Sequence, residues 1–271
     1  MIELYLKDDN FRHCEFSNNP QPVINRSKYI KWNRDTPPAG TDVVCTDFQI
    51  QNGNIAWLLE PYDIHPVPYQ IVTHNPYVYK EIWTHDRIIL DKKLLNVKFF
   101  PVGGCWIDEQ DRKVHDKTKM FSIIASSKRQ TQGHKLRHEI IQAAGNHIDA
   151  FGPEYMNFKV HSMHKIEGLQ DYRYHFAIEN CKRDYYFSEK LIDALMTGCI
   201  PIYWGCPSIG NFFNTDGFIE FNNLVDLKES LKNCTIEYYN SKLPIIKDNF
   251  ELAKKYILSE DWIYEHYLSK S

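Results

Sequence analysis

The sequence predicts an α/β protein with parallel sheets, and two observations carry that prediction. Residues Tyr174 to Pro207 run strand, polar loop, capped helix, strand without padding, the order that joins parallel neighbours. From Lys119 to Phe221 the same alternation recurs, apolar runs of strand length separated by segments of helix length. A chain of 271 residues with 43% hydrophobic and 14% aromatic content can bury two modest cores, so two small domains are expected.

In the 174–207 run, Tyr174, Phe176 and Ile178 alternate with His175, Ala177 and Glu179, a period of two that lines one face of a strand with large apolar groups. The pair Glu179 and Asn180 closes that strand. Ser188 can cap a helix whose Leu191, Ala194 and Leu195 fall at i, i+3 and i+4, and Gly198 offers a left-handed stop. Ile200 to Trp204 then returns as a buried strand. Ligands of open α/β sheets bind beyond the carboxyl ends of the strands, which is where Glu189 and Lys190 begin their helix. Unpaired N–H groups and the helix dipole favour a phosphate there, and Lys190 adds a full positive charge. Taken alone, Lys190 would read as a solvated helix-end lysine.

The remaining elements follow in order. Short strand-like runs at 42–45, 55–59 and 97–100 are separated by proline-rich connections, and turn-rich stretches fall at 18–22 and 35–40. The charged segment Asp108 to Lys119 is the expected domain boundary. Beyond it the sequence predicts strand 120–125, helix 135–144 closed by Gly145, strands 148–151 and 174–179, helix 189–197, strands 200–204 and 218–221, and helix 224–232. Helical residues from about 245 to 268 finish the chain. The expected domains are residues 1–113, residues 114–250, and a C-terminal helix over 251–271 that can cross back to the first domain.

Composition excludes several functions. A net charge of −3, from 32 Lys and Arg against 35 Asp and Glu, with the basic residues scattered, leaves no electrostatic footprint for nucleic acid. Charges at Glu3, Lys7, Asp8 and Asp9 interrupt the opening residues, and no later run reaches membrane-spanning length, so a soluble, unprocessed chain is expected. Seven cysteines without a Cys-x-x-Cys pair argue for reduced thiols in the cytoplasm, where the sequons at Asn25 and Asn233 carry no meaning. His134 with His138, and His161 with His164, have metal-like spacing but no third ligand in sequence reach, and no metal site is assigned.

The pattern resembles glycosyltransferase family 10, the α-1,3/1,4-fucosyltransferases. The likeness lies in Ile178–Asn180, in Tyr186 to Lys190, where Tyr186 stands three residues before Glu189 with Lys190 next, and in Gly198 to Gly205 with its Ile200, Pro201, Ile202 core. In the right order, Lys119 to Ser126 looks like the first strand of the family's donor domain and Leu136 to Ile140 like its following helix with Arg137. Trp57 to Pro61 is similar to a stretch of the acceptor domain with internal spacing shifted by about a residue, and Phe100 to Gly103 resembles that domain's end. The likeness covers most of residues 57–221 and is specific between 174 and 207.

The resemblance implies a GT-B fold, two Rossmann-like domains facing a cleft, with the C-terminal domain binding a nucleotide-sugar donor and the N-terminal domain presenting a glycan acceptor. It implies GDP-fucose as donor substrate, no cofactor, inversion at the sugar, and donor contacts from Asn180, Tyr186 and Glu189. Glycosyl transfer leaves charge on the diphosphate, so the site needs positive groups there and a base for the acceptor hydroxyl. No Asp-x-Asp triplet is present to hold a metal, which assigns the positive groups to Arg137 and Lys190, the former as a two-pronged fork and the latter as a mobile point charge. Glu60, at the end of a hydrophobic strand, is the expected base, with Asp63, His85 and Asp86 in reserve. Glu179 is expected to brace the loop. Two other readings stand beside this one: the same fold acting on another GDP- or UDP-sugar, and a nucleotide-sugar or glycan-binding protein without transfer.

Overall fold

The computed structural model describes residues 1–8, 26–152 and 165–269. The turn-rich stretch at 18–22, Cys14, Asn25 and the His161 and His164 pair lie outside the described residues. The chain divides into two compact units, Met1–Val102 with Leu258–Ser271, and Gly103–Ile257, against the division at 113/114 and 250/251 read from sequence. Among the described residues no helix is long and apolar enough to cross a membrane.

The first unit is built on six parallel strands: β1 (Ile2–Lys7), β2 (Ile30–Asn33), β3 (Val43–Thr46), β4 (Ile55–Trp57), β5 (Glu81–Thr84) and β6 (Val97–Phe99), in the order β2-β1-β3-β4-β5-β6. Helices α1 (Pro66–His74) and α2 (Arg87–Leu90) follow β4 and β5. The strand pleat sends neighbours to opposite faces. Val44, Trp57 and Trp83 pack with Leu6, Trp32 and Phe100 on one side, while Cys45, Ala56, Leu58 and Ile82 pack with Tyr69 and Val72 of α1 on the other. Both faces are covered, as parallel sheets require. Chain from the far end supplies part of that cover. Ile263, in the helix Ser259–Ile263, is fully buried against the tryptophan face, Tyr264 stacks on Tyr29 at 4.5 Å, and Tyr267 donates to the Phe99 carbonyl at 2.7 Å.

The second unit has five parallel strands, β7 (Lys119–Ile124), β8 (Asp149–Phe151), β9 (Tyr172–Ile178), β10 (Ile200–Trp204) and β11 (Ile219–Glu220), ordered β11-β10-β9-β7-β8. Its helices are α3 (Gln132–Ala144), α4 (Glu189–Met196), α5 (Leu224–Leu231), α6 (Ile236–Ser241) and α7 (Leu243–Ala253). The alternation read from sequence is realised here nearly element for element. Tyr174, Phe176 and Ile178 share a buried face with Ile200, Ile202 and Trp204 of β10, while Ala177 and Tyr203 face Leu191, Ala194 and Leu195 of α4. The boundaries shift by one or two residues at most elements, and by three at α3, which begins earlier than the apolar stripe suggests. Thr131 caps it by accepting from the His134 N–H at 3.3 Å, while His134 Nδ1 takes the Thr131 N–H at 3.2 Å. This local exchange gives His134 a structural task in place of the metal spacing.

Gly198 ends α4 in the left-handed region, φ +76°, and a Cβ there would stand 2.8 Å from Val114 Cγ1 and 2.9 Å from Val114 Cα. Gly198→Ala combines a left-handed backbone of about 1–2 kcal/mol with overpacking of about 1–3 kcal/mol. Its chemical-denaturation midpoint should fall accordingly, with the parent's slope retained.

Candidate active site

In the second unit β7 is followed by β8 on one side and β9 by β10 on the other, so the chain reverses direction across the sheet between β7 and β9. Such a switch point opens a crevice at the carboxyl ends of the two strands. The helices that follow them, α3 and α4, bring the sequence-predicted residues to that end.

Helix α4 is fixed by a buried carboxylate. Glu179, with no exposed surface, accepts from the Ser188 N–H at 2.9 Å on Oε1 and from the Ser188 hydroxyl at 2.6 Å on Oε2. Having donated its proton, the Ser188 oxygen accepts from Lys190 Nζ at 3.1 Å and from the Lys190 N–H at 3.5 Å. Burial pushes the Glu179 carboxyl up, opposed by the Lys190 charge and the Ser188 bonds. Lys190 Nζ also pairs with Glu189 Oε1 at 3.0 Å. Burial acts against ionisation of Glu189, but Lys190 and Lys165 overcome it and hold this carboxyl well below the usual range. The Gly103 N–H donates to the Phe187 carbonyl at 3.1 Å, and Gly104 lies against Glu189, so the segment opening this unit borders the helix start.

Arg137 is a buried side chain, 4% exposed. Its Nε and Nη2 donate to the Ile178 carbonyl at 3.1 and 2.8 Å, and Nη2 donates to Asn180 Oδ1 at 2.8 Å. Both partners are neutral, so these bonds orient the guanidinium without cancelling its charge. Burial lowers its pKa, while Glu179, Glu189 and Tyr186 act to raise it. The approach of α3 to β9 depends on Gly133. Its N–H donates to the Asn180 carbonyl at 3.1 Å, and a Cβ on it would fall 1.7 Å from the Glu179 carbonyl oxygen. Arg137, Asn180, Glu189 and Lys190 are thus gathered at one end of β9.

Tyr186 is 2% exposed, which closes base stacking to it and leaves its hydroxyl as the candidate group. The neighbouring Tyr185 is half-buried with φ +64° and packs edge-on to Phe212 at 6.3 Å. A non-glycine residue in that region stores strain. Two further residues carry no signal in a linear reading. Lys165 reaches Glu189 and Asp193 from outside the motif, and Trp106 donates its N–H to Asp193 Oδ1 at 2.6 Å. Nothing in the spacing of these residues relates them to the Tyr186–Lys190 motif.

Glu60 belongs to the first unit, where it follows β4. Its main chain is held on both sides: the N–H donates to Asp47 Oδ2 at 3.0 Å, and the carbonyl accepts the Tyr69 hydroxyl at 2.6 Å. Tyr69 has one proton to donate, so the 3.3 Å contact with His85 Nε2 requires His85 to carry its proton on that nitrogen. Asp86 is occupied as the cap of α2, accepting from the Ile89 N–H at 3.1 Å. The carboxyl ends of β3, β4 and β5 therefore group Asp47, Glu60 and His85. Burial pushes Asp47 up to about 7, against the Glu60 and Leu59 N–H bonds that favour its anion.

That shift has a sign. An unfolded Asp47 loses its proton near 3.8 and the folded one near about 7, so the folded state binds more protons between these values. Asp47's contribution is fully present below the lower value and is lost as pH rises through the upper one. Denaturation midpoints measured from pH 4 to pH 7 should decline through this group, and Asp47→Asn should flatten that part of the profile.

Residues 114–239 match the family model described as glycosyltransferase family 10 (fucosyltransferase) C-term. The α-(1,3)-fucosyltransferase FucT of Helicobacter pylori is 36% identical over 67 residues, 25% of this chain and 14% of that protein. The chain spans 14%, 16% and 17% of the length of the curated relatives it matches. Among solved structures, an α1,3-fucosyltransferase with GDP superposes with a TM-score of 0.55 at 16% identity, covering 84% of this chain and 81% of that one. The glycosyltransferase TarM superposes with a TM-score of 0.52 at 13% identity, covering 84% and 54%. The architecture is that of a GT-B fold. Over residues 114–239, just under half of its length, the chain is thus similar to glycosyltransferase family 10, the fucosyltransferases.

Proposed function

We propose that the protein is an inverting, metal-independent glycosyltransferase that moves fucose from GDP-fucose to a glycan hydroxyl. The observation that carries this reading is the convergence of Lys190, Arg137 and the start of α4 at the carboxyl end of β9. Departure of GDP places negative charge on the diphosphate, and these groups supply positive potential at that end of the sheet. Lys190 offers a movable ammonium. Arg137 offers a guanidinium whose plane is set in advance by Ile178 and Asn180, so little reorganisation accompanies charge development. Asn180, Glu189 and the Tyr186 hydroxyl are assigned to the ribose or the sugar.

Glu60 is assigned as the base. In the reaction the acceptor oxygen forms a bond to the anomeric carbon as the bond from that carbon to the phosphate oxygen breaks. The acceptor proton passes to the Glu60 carboxylate and the electron pair leaves on GDP, with inversion at the sugar. Hydrogen bonds on both sides of the Glu60 main chain support this assignment by holding that stretch of backbone. The first unit is accordingly the acceptor domain and the second the donor domain. A cytoplasmic setting fits the six cysteines among the described residues, all free and buried.

Calorimetry of EDTA-treated protein against GDP, GDP-fucose and UDP tests the donor assignment. Metal-free binding of GDP and GDP-fucose with weaker UDP binding is expected; preference for UDP would replace the sugar nucleotide, and silence toward all three would reject the enzyme reading. Lys190→Ala and Arg137→Ala should each weaken GDP binding by about 10- to 100-fold, the range of one charge-assisted contact. Unchanged GDP affinity in Lys190→Ala would displace the phosphate site. Glu60→Gln should keep GDP affinity while transfer falls by about 10²- to 10⁴-fold; transfer at the parent rate would remove Glu60 from the base role.

A further inference from the structure

Glu189 carries two cations on one oxygen. Its Oε1 lies 3.0 Å from Lys190 Nζ and 3.5 Å from Lys165 Nζ, in a largely enclosed position where the three side chains are 17%, 22% and 18% exposed. The two lysines are held differently. Lys190 has Glu189 as its charged partner and the neutral Ser188 hydroxyl as its other. Lys165 is locked from three directions: Asp193 Oδ2 at 2.8 Å, on a carboxylate 2% exposed, the Glu189 oxygen, and the Trp106 ring with its centroid 4.3 Å away. Asp193 is itself held, its second oxygen accepting the Trp106 N–H. The ammonium of Lys165 therefore stays in place while that of Lys190 is the one able to move.

An arriving diphosphate competes with Glu189 for Lys190. If Lys190 were the sole counter-ion, its departure would strand an enclosed carboxylate, a costly state. We propose that Lys165 is a positioning residue of the donor site, the standing counter-ion of Glu189 that releases Lys190 Nζ to engage a nucleoside diphosphate. This inference rests on the donor-site reading above. Burial works against the Lys165 ammonium, yet Asp193 and Glu189 outweigh it and hold its pKa above the ordinary lysine value, so its charge is permanent at neutral pH. The other charged groups facing Glu189 are Lys190 and Asp193 on its own helix, Arg137 on α3 and Glu179 at the end of β9.

GDP titrations at pH 7 in two buffers of different ionisation heat, on parent, Lys165→Met and Lys165→Met with Asp193→Asn, test it. The paired variant leaves no Asp193 charge unpaired, so it carries the test if the single one does not fold. Removal of Lys165 should weaken GDP binding about tenfold, the order of one charge-assisted contact. Binding should then take up a proton, because Glu189 protonates as Lys190 leaves it. Lys165→Arg, which keeps the charge, should restore parental affinity, and in a Glu189→Gln background loss of Lys165 should have no further effect. Parental affinity with no proton uptake in the paired variant, or an equal loss in the Glu189→Gln background, would overturn the proposal. A parent that ignores GDP would instead reject the donor site itself.

Discussion

The second unit turns on the contact between Glu179 and Ser188. Two hydrogen bonds to one buried carboxylate join the residue just after a central strand to the cap of the helix that follows it, across nine positions of chain. The loop between them is closed at its base, so its residues inherit the precision of the sheet. The Glu179 N–H donates to the Trp204 carbonyl at 2.9 Å, and Gly205 fits against the Glu179 side chain, so the end of β10 is tied to the same point. On the other side Gly133 lets α3 touch the Glu179 and Asn180 backbone. Strand end, two helix starts and the neighbouring strand all meet at one carboxylate, and the candidate donor residues are arranged around it.

Such an arrangement is not an economical way to stabilise a fold. Buried ion pairs return little net stability, because desolvation consumes most of the Coulombic gain. Here Arg137, Lys165 and Lys190 lie with Glu179, Glu189 and Asp193 in one small region, three formal charges of each sign. Under the proposed function that balance is preparation for an anion. Each carboxylate is supported by bonds that do not require Lys190: Glu179 by Ser188, Asp193 by Lys165 and the Trp106 N–H, Glu189 by Lys165. In the proposed donor site the Lys190 ammonium lies at the start of α4, where a phosphate would replace its Glu189 partner.

Much of the second unit was legible because its signals are local. Period-two runs, a serine cap and a left-handed glycine specify strands and helices through contacts within a few residues, and β9, α4 and β10 lie where that pattern puts them. The first unit was less legible. Strands β1 and β2 do alternate, Ile2, Leu4 and Leu6 against Glu3, Tyr5 and Lys7, and Ile30 and Trp32 against Lys31 and Asn33, but runs this short do not say which strand they pair with or what covers them. What places them in the sheet is the parallel pairing of β1 with both β2 and β3 and cover from the chain end around Ile263, 230 positions or more away in sequence. No window of local sequence contains that information.

The candidate site divides in the same way. Residue types at motif spacing, Lys190 beside Glu189 and Arg137 on an amphipathic helix, determined by themselves which charges stand at which helix positions, since charge and helix position are local properties. The tertiary structure decided how the charges are used. Arg137 is aimed by a carbonyl 41 residues away, Glu189 is shared with a lysine 24 residues upstream, and the main chain of Glu60 is held by an aspartate 13 residues before it. A side chain's charge is written in its own chemistry, but its partners, its desolvation and the direction in which it points depend on groups that only folding brings within a few ångströms.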